Sequence, residues 1–466
     1  MKRKIVTLLV VLALAAGLPL VMPTVDPAGA THRAGHGQAS VPVPTITGPI
    51  TGGLRGRPFG FAVTEPSSFG YVEEEYFISG TARTIGSAPT TAPYTTRIYV
   101  LRPADRAAFN GGVVLEWLNV TSQMDAAATW YVAHEHMIRE GYAFVGVSAQ
   151  RAGIDPPRGL KAFDPVRYAP LSHPGDDYSF DIFSQAAQVV RRGHRLPRAQ
   201  PDPLGGLRPD RLIAAGQSQS GSRLGDYIND VHAQARVFDG FLPNTFAAPD
   251  VRDDVAPVLW VNSEFEGNQT SRPDGGLFRL WEIAGASHFG WWGLQGGIAA
   301  GARSEFGDAA PDFDRENAAQ YGELGGGPCP QNYFPDRFAY SAALHHLDQW
   351  ILTGTPPPSA PRFQRDPTTG QPARDTDGNV VGGLRLPPIE VPVANYIGPS
   401  CTLFGLTRPF DPLTLGTHYP SHQAYVDAMQ AATDAAVATG HLLPPDAEEL
   451  MARAEASPIG GTATST

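Results

Sequence analysis

Ser218 stands in the run Gly216-Gln217-Ser218-Gln219-Ser220-Gly221, after the apolar stretch Leu212–Ala215, which reads as a strand, and before an amphipathic stretch, which reads as a helix. A serine in this strand–turn–helix setting matches the G-x-S-x-G elbow, where a sharp turn lifts the hydroxyl out of the sheet to attack a carbonyl. The turn needs small residues two before and two after the serine, because the helix leaves close to the strand. Gly216 meets that need fully, and Ser220 replaces the usual second glycine. A serine-rich turn that merely caps a helix uses the same residue types, so the chemical reading depends on partners.

Those partners are a base and an acid that orients it, and where this elbow is used they follow in the order serine, acid, histidine. The segment APVLWVNSEFEG carries Glu264 and Glu266 past a strand, Val258–Asn262. Glu266 lies three residues beyond the small residue ending that strand, Ser263, and is favoured as the acid. Glu264 stays the alternative, and whichever of the two is not used is expected to be a solvated loop carboxylate. For the base, LWEIAGASHFGWW places His288 after the strand Leu280–Ile283 and a run of small residues able to carry an imidazole up to the serine. His134 and His136 form an H-x-H pair, but side chains two apart on a helix diverge, which weakens a metal reading. His345 and His346 read as packing or surface residues. The backbone N–H of Gln219 is expected to form one half of an oxyanion hole, and the turn after Val113–Leu118 the other half. Within that turn, Asn119 to Thr121, Val120 is the chosen donor, while Asn119 could instead brace the loop.

The elements needed to hold these groups alternate along the chain. Strands are expected at Arg97–Leu101, Val113–Leu118, Tyr142–Val147, Arg211–Ala215, Val237–Leu242, Val258–Asn262 and Leu280–Ile283. Several are almost continuously apolar, as strands covered on both faces must be. Helical spacing appears at Ile182, Ala186, Val189 and Val190, and at Tyr340, Leu344, Leu347 and Ile351, where it stops at Gly354. Ser421 could cap a helix carrying Val426, Met429 and Ala436. This is an α/β pattern with a mostly parallel central sheet flanked by helices. Residues 296–336 are Gly-rich and aperiodic, and are expected to form a lid or surface insertion after the histidine.

Residues 1–30 have the three parts of a secretory signal: Lys2, Arg3 and Lys4, an apolar run from Ile5 to Met22, and the small residues Ala28-Gly29-Ala30. A linker at 31–45, a single folded domain at 46–456 and a flexible tail at 457–466 complete the expected organisation, with a secreted location and no membrane contact after cleavage. Cys329 and Cys401 both fall in the exported part, and an even count in an oxidising compartment suggests one disulfide. Its loop of roughly 70 residues would stabilise by on the order of 4 kcal/mol at most. A formal charge of −11, with no block of like charges, argues against nucleic-acid binding. No metal or cofactor motif is evident, and the oligomeric state is not legible. Gly (51) and Pro (44), spread along the chain, point to long turn-rich loops.

From about residue 45 to 455 the sequence resembles bacterial secreted α/β-hydrolase-domain proteins regarded as serine esterases. The resemblance rests on VVLEWLNVTSQMD, YSFDIFSQAAQVVR, GQSQSGSRL, VFDGFLPN, PVLWVNSEFE, EIAGASH and CTLFGLTRPFD…YPSHQAYV…GHLLPPDA. It implies the α/β-hydrolase fold and the triad Ser218, Glu266 and His288, in a family whose acid is often Asp. The expected activity is cleavage of a small-molecule carboxylic ester through an acyl-enzyme, without a cofactor. Amide cleavage or acyl transfer by the same residues is the alternative, as is a non-catalytic binding module on the same fold.

Overall fold

The computed structural model describes residues 41–246, 250–268, 272–307 and 331–461. The expected signal segment and residues 31–40 of the linker lie outside them, as do Cys329 and residues 462–466. Nine strands make one sheet: β1 (Thr45–Thr47), β2 (Tyr71–Arg83), β3 (Thr91–Pro103), β4 (Gly112–Trp117), β5 (Ala143–Val147), β6 (Arg211–Gln217), β7 (Gly240–Asn244), β8 (Val258–Ser263) and β9 (Phe278–Ile283). Their order is β1-β2-β3-β5-β4-β6-β7-β8-β9. From β5 to β9 every pairing is parallel, while β1, β2 and β3 join antiparallel at the other end.

The near-continuous apolar runs follow from burial on both faces. Successive residues of a strand point to opposite sides, and here each side has its own core. Val114, Phe144, Ile213, Leu242, Val261 and Trp281 pack on one face; Val113, Val145, Leu212, Phe241, Trp260 and Leu280 pack on the other. The first face is covered by α1 (Ala128–Arg139) and by the later helices α4 (Trp291–Phe306), α5 (Arg337–Thr353), α6 (His422–Ala438) and α7 (Pro444–Ala456). The second is covered by α2 (Ser179–Arg192) and α3 (Gln219–Asp230). The capping residues act where the sequence places them: Gly354 closes α5 in the left-handed conformation at φ +78°, and the Ser421 hydroxyl accepts from the Ala424 N–H at 3.1 Å. Among the described residues no helix is long and apolar enough to cross a membrane.

Two expectations need correction. The strand expected at Val237–Leu242 is displaced to Gly240–Asn244, because Asp239 makes the junction with β6: its N–H donates to the Leu212 carbonyl and its carboxylate accepts from the Leu212 N–H. The stretch taken as aperiodic from residue 296 begins inside α4, since residues 296–306 continue that helix. Four glycines in a helix apolar on more than one side conceal its 3.6-residue period. Residues 308–330 of the expected insertion lie outside the described part. At the two ends of the domain, Val41 and Val43 already pack against the core, and the Ile459 carbonyl accepts from the His422 imidazole at 2.8 Å.

Candidate active site

The strand order reverses between β4 and β6: the chain leaves β4 through α1 to reach β5 on one side, and β6 lies on the other. Loops at the carboxyl ends of two such strands diverge and leave a crevice between them. The loop after β4 and the turn after β6 therefore face one another, and the Asn119 side-chain amide spans them by donating to the Gln217 carbonyl at 2.9 Å. The Asn119 backbone also pairs with Ala126 in both directions, at 2.9 Å each. The bracing reading of Asn119 is the one its contacts follow.

Ser218 sits on that turn at φ +59°, ψ −119°, a region a non-glycine residue enters only when its surroundings impose it. Here its N–H is bound to the Asn244 carbonyl of β7 at 2.8 Å while its own carbonyl accepts from Ser222 at 2.9 Å, so the residue is fixed from both sides. The crowding also explains the small neighbours. A Cβ at Gly216 would lie 2.9 Å from the Ser220 carbonyl oxygen, and one at Gly221 would lie 2.8 Å from that of Asn244. Position 220 can accept serine because the close approach to the neighbouring strand falls on Gly221, a requirement the pentapeptide pattern does not contain.

Three side chains meet above the turn. The Ser218 hydroxyl is 2.9 Å from His288 Nε2, and His288 Nδ1 is 2.5 Å from Glu266 Oε1. With a neutral imidazole this is an Nδ1–H donating to the carboxylate and an O–H donating to Nε2. The other oxygen of Glu266 accepts from the Ser263 N–H at 3.0 Å and the Ser263 hydroxyl at 2.6 Å, which sets the direction of the carboxylate. Phe265 presents its ring to the imidazole at 5.2 Å. The His288 carbonyl accepts from the Gln217 side chain at 2.9 Å, tying the histidine loop directly to the elbow.

A model of the alpha/beta hydrolase domain matches residues 46–452. The chain belongs to that family. No curated protein matches it. Among solved structures it is similar to the esterase Est22 at 13% identity, over 44% of this chain and 68% of that one, with a TM-score of 0.26. It is also similar to an a/b serine hydrolase without lid from Xanthomonas campestris, at 15% identity over 50% and 97% with a TM-score of 0.27, and to an alpha-beta serine hydrolase homologue from Coxiella burnetii, at 14% over 44% and 88% with a TM-score of 0.27. These likenesses are too distant to bear on substrate.

In this alpha/beta hydrolase domain Glu264 is no solvated loop carboxylate, contrary to expectation. It is fully buried and does not bond to His288. Its Oε1 accepts from the Gly285 N–H at 2.7 Å, and its Oε2 accepts from the Gly398 N–H and from Arg374, both at 3.0 Å. Burial pushes its carboxyl upward, against the pull of Arg374 and the two amides. Since Gly285 lies on the turn leading to His288, Glu264 clamps the histidine loop from below. Two further bonds complete the clamp: the Leu403 carbonyl accepts from the Phe289 N–H at 2.9 Å, and the Asn332 side chain donates to the Gly285 carbonyl at 2.8 Å.

On the opposite wall, Gln219 is the first residue of α3, so its N–H has no intrahelical acceptor. The Val120 N–H has no hydrogen-bond partner among the described residues, and the turn around it is held by Thr121 N–H to Asn119 Oδ1 at 2.9 Å and Gln123 N–H to the Val120 carbonyl at 2.8 Å. Beneath it Glu116 of β4 accepts from the Thr129 and Trp130 N–H groups at 2.7 and 3.0 Å and so caps α1; burial pushes its carboxyl up to about 8. A lone glutamate inside an otherwise apolar strand is the signal for this cap, which the motif pattern does not contain. Among the described residues no group of three or more His, Cys, Asp or Glu is placed to hold a metal ion. His134 instead bonds the Tyr131 carbonyl, and His346 that of Gly440.

Proposed function

We propose that the protein is a secreted serine hydrolase that cleaves carboxylic esters through an acyl-enzyme. What carries this reading is the continuous chain from Ser218 Oγ through His288 to Glu266, at 2.9 and 2.5 Å, on an elbow in a strained backbone conformation. His288 Nε2 takes the Ser218 proton as Oγ attacks the ester carbonyl, then returns it to the departing alcohol. A water activated by the same nitrogen releases the acid. Glu266 fixes the tautomer and stabilises the imidazolium. The N–H groups of Gln219 and Val120 are the proposed donors to the tetrahedral oxyanion. No cofactor enters this scheme. Export rests on residues 1–30, and a Cys329–Cys401 disulfide follows from the two-cysteine count in an exported chain.

Ser218→Ala tests the assignment. Turnover of a p-nitrophenyl ester should fall by roughly four orders of magnitude or more with the fold intact by circular dichroism. Near-normal turnover by that variant would remove Ser218 from the chemistry.

A further inference from the structure

Helix α4 contains Gly293, Gly296, Gly297 and Gly301, although glycine is the least favourable residue in a helix interior after proline. Two of these have a packing reason: a Cβ at Gly296 would lie 2.9 Å from the Tyr131 side chain and 3.0 Å from its carbonyl oxygen, and one at Gly293 would lie 2.9 Å from the Phe289 ring. Gly297 has no such reason, since its Cβ would meet the Tyr131 ring at an ordinary 3.4 Å. Gly297 and Gly301 are instead one turn apart on the face that also carries Leu294 and Ile298, and this face walls a cavity of about 370 Å³. Met124, Phe163, Phe289 and Phe404 also line it. Three charged groups at its wall are engaged: Glu305 with Arg55 at 2.7 Å, Asp125 Oδ2 with Arg97 at 3.1 Å and Ser148 at 2.5 Å, and Arg158 with Met124 Sδ at 3.9 Å.

The cavity borrows its walls from both sides of the proposed active site. Residues 122–126 continue the loop that holds Val120, and Phe289 directly follows His288. The acyl part of an ester stays bonded to Ser218 Oγ after the alcohol has taken its proton from His288 and left, so a recessed apolar space serves the part that remains through both half-reactions. At about 30 Å³ per water-sized group, the volume accommodates on the order of ten non-hydrogen atoms.

We propose that this cavity is the acyl-chain site, that Gly297 and Gly301 keep it open, and that the preferred substrates are esters of apolar medium-chain carboxylic acids. The inference rests on Ser218 being the nucleophile. Each buried methylene can raise kcat/KM by about fourfold. Across p-nitrophenyl esters from acetate to dodecanoate, kcat/KM should therefore climb to an optimum near eight to ten acyl carbons and then fall. In Gly301→Leu the octanoate-to-acetate ratio of kcat/KM should drop at least tenfold. Gly297→Ala, which adds one methyl at ordinary contact distance, should lower it about threefold with no loss of thermal stability, and provides the answer should Gly301→Leu not fold. A measurable but flat acyl profile, an unchanged ratio in a folded variant, or chain-length dependence that appears only in a series of alkyl acetates would overturn the acyl assignment and leave the hydrolase reading standing. Turnover of no ester at all would defeat both.

Discussion

Glu264 and Glu266 are two residues apart, equally acidic and both buried, yet their surroundings give them different work. Glu266 faces the imidazole with one oxygen and is aimed by Ser263 with the other; Glu264 turns one oxygen to the Gly285 N–H of the histidine loop and the other to the Gly398 N–H and Arg374. Glu266→Gln should therefore lower kcat by on the order of a hundredfold or more with little change in melting temperature, because the amide no longer holds the imidazolium. Glu264→Gln should act on stability, costing on the order of 1–3 kcal/mol, since it leaves Arg374 and a buried amide with a poorer acceptor, and should touch kcat less. Steady-state kinetics and thermal melts of the two variants separate these outcomes; the reverse order of kcat losses would transfer the orienting role to Glu264. The spacing from Ser263 was enough to favour Glu266. The part played by Glu264 could not be read from the sequence because Gly398 and Arg374, more than a hundred positions away, create it.

Among the elements, the parallel strands β4 to β9 were legible because burial on both faces writes itself as an apolar run. The long β2–β3 hairpin was less so: its first strand carries Glu73, Glu74 and Glu75 in succession, with Glu75 buried between Arg97 and Arg167 at 2.7 Å from each, and its pairing runs antiparallel through thirteen registered positions. Helix α4 was hidden for the opposite reason, its glycines erasing the amphipathic pattern. The elbow between β6 and α3 was recognisable from Gly216 and Ser218, but the need for Gly221 arises only from β7 lying against it. Gly221→Ala would place a Cβ 2.8 Å from the Asn244 carbonyl oxygen, the same oxygen that anchors the Ser218 N–H. It should lower kcat by about tenfold or more through displacement of Ser218, the proposed nucleophile, along with a lower melting temperature. Wild-type kinetics in that variant would show that α3 has room to shift.

At the scale of the whole molecule, the fold holds several histidines neutral in its interior. Burial, reinforced by Arg139 and His345, brings His136 down to about 3, while His134, His232 and His441 come down to about 4, chiefly by burial. In the unfolded chain each takes a proton near 6.5, so between that value and its folded pKa the unfolded state binds more protons and stability falls as pH drops. For His136 alone the loss from pH 7 to pH 5 is about 2 kcal/mol. The slope of melting temperature against pH over that interval should be shallower in His136→Gln than in the wild type, and equal slopes would show that His136 ionises in the folded protein. The proposed chemistry turns on one hydroxyl, that of Ser218. The most direct measurement is therefore labelling of the folded protein with a fluorophosphonate probe followed by peptide mapping. The expected result is a single adduct on Ser218, lost in Ser218→Ala and much slowed in His288→Ala. A folded protein that stays unlabelled, or an adduct on another residue, would contradict the assignment of Ser218 as an activated nucleophile.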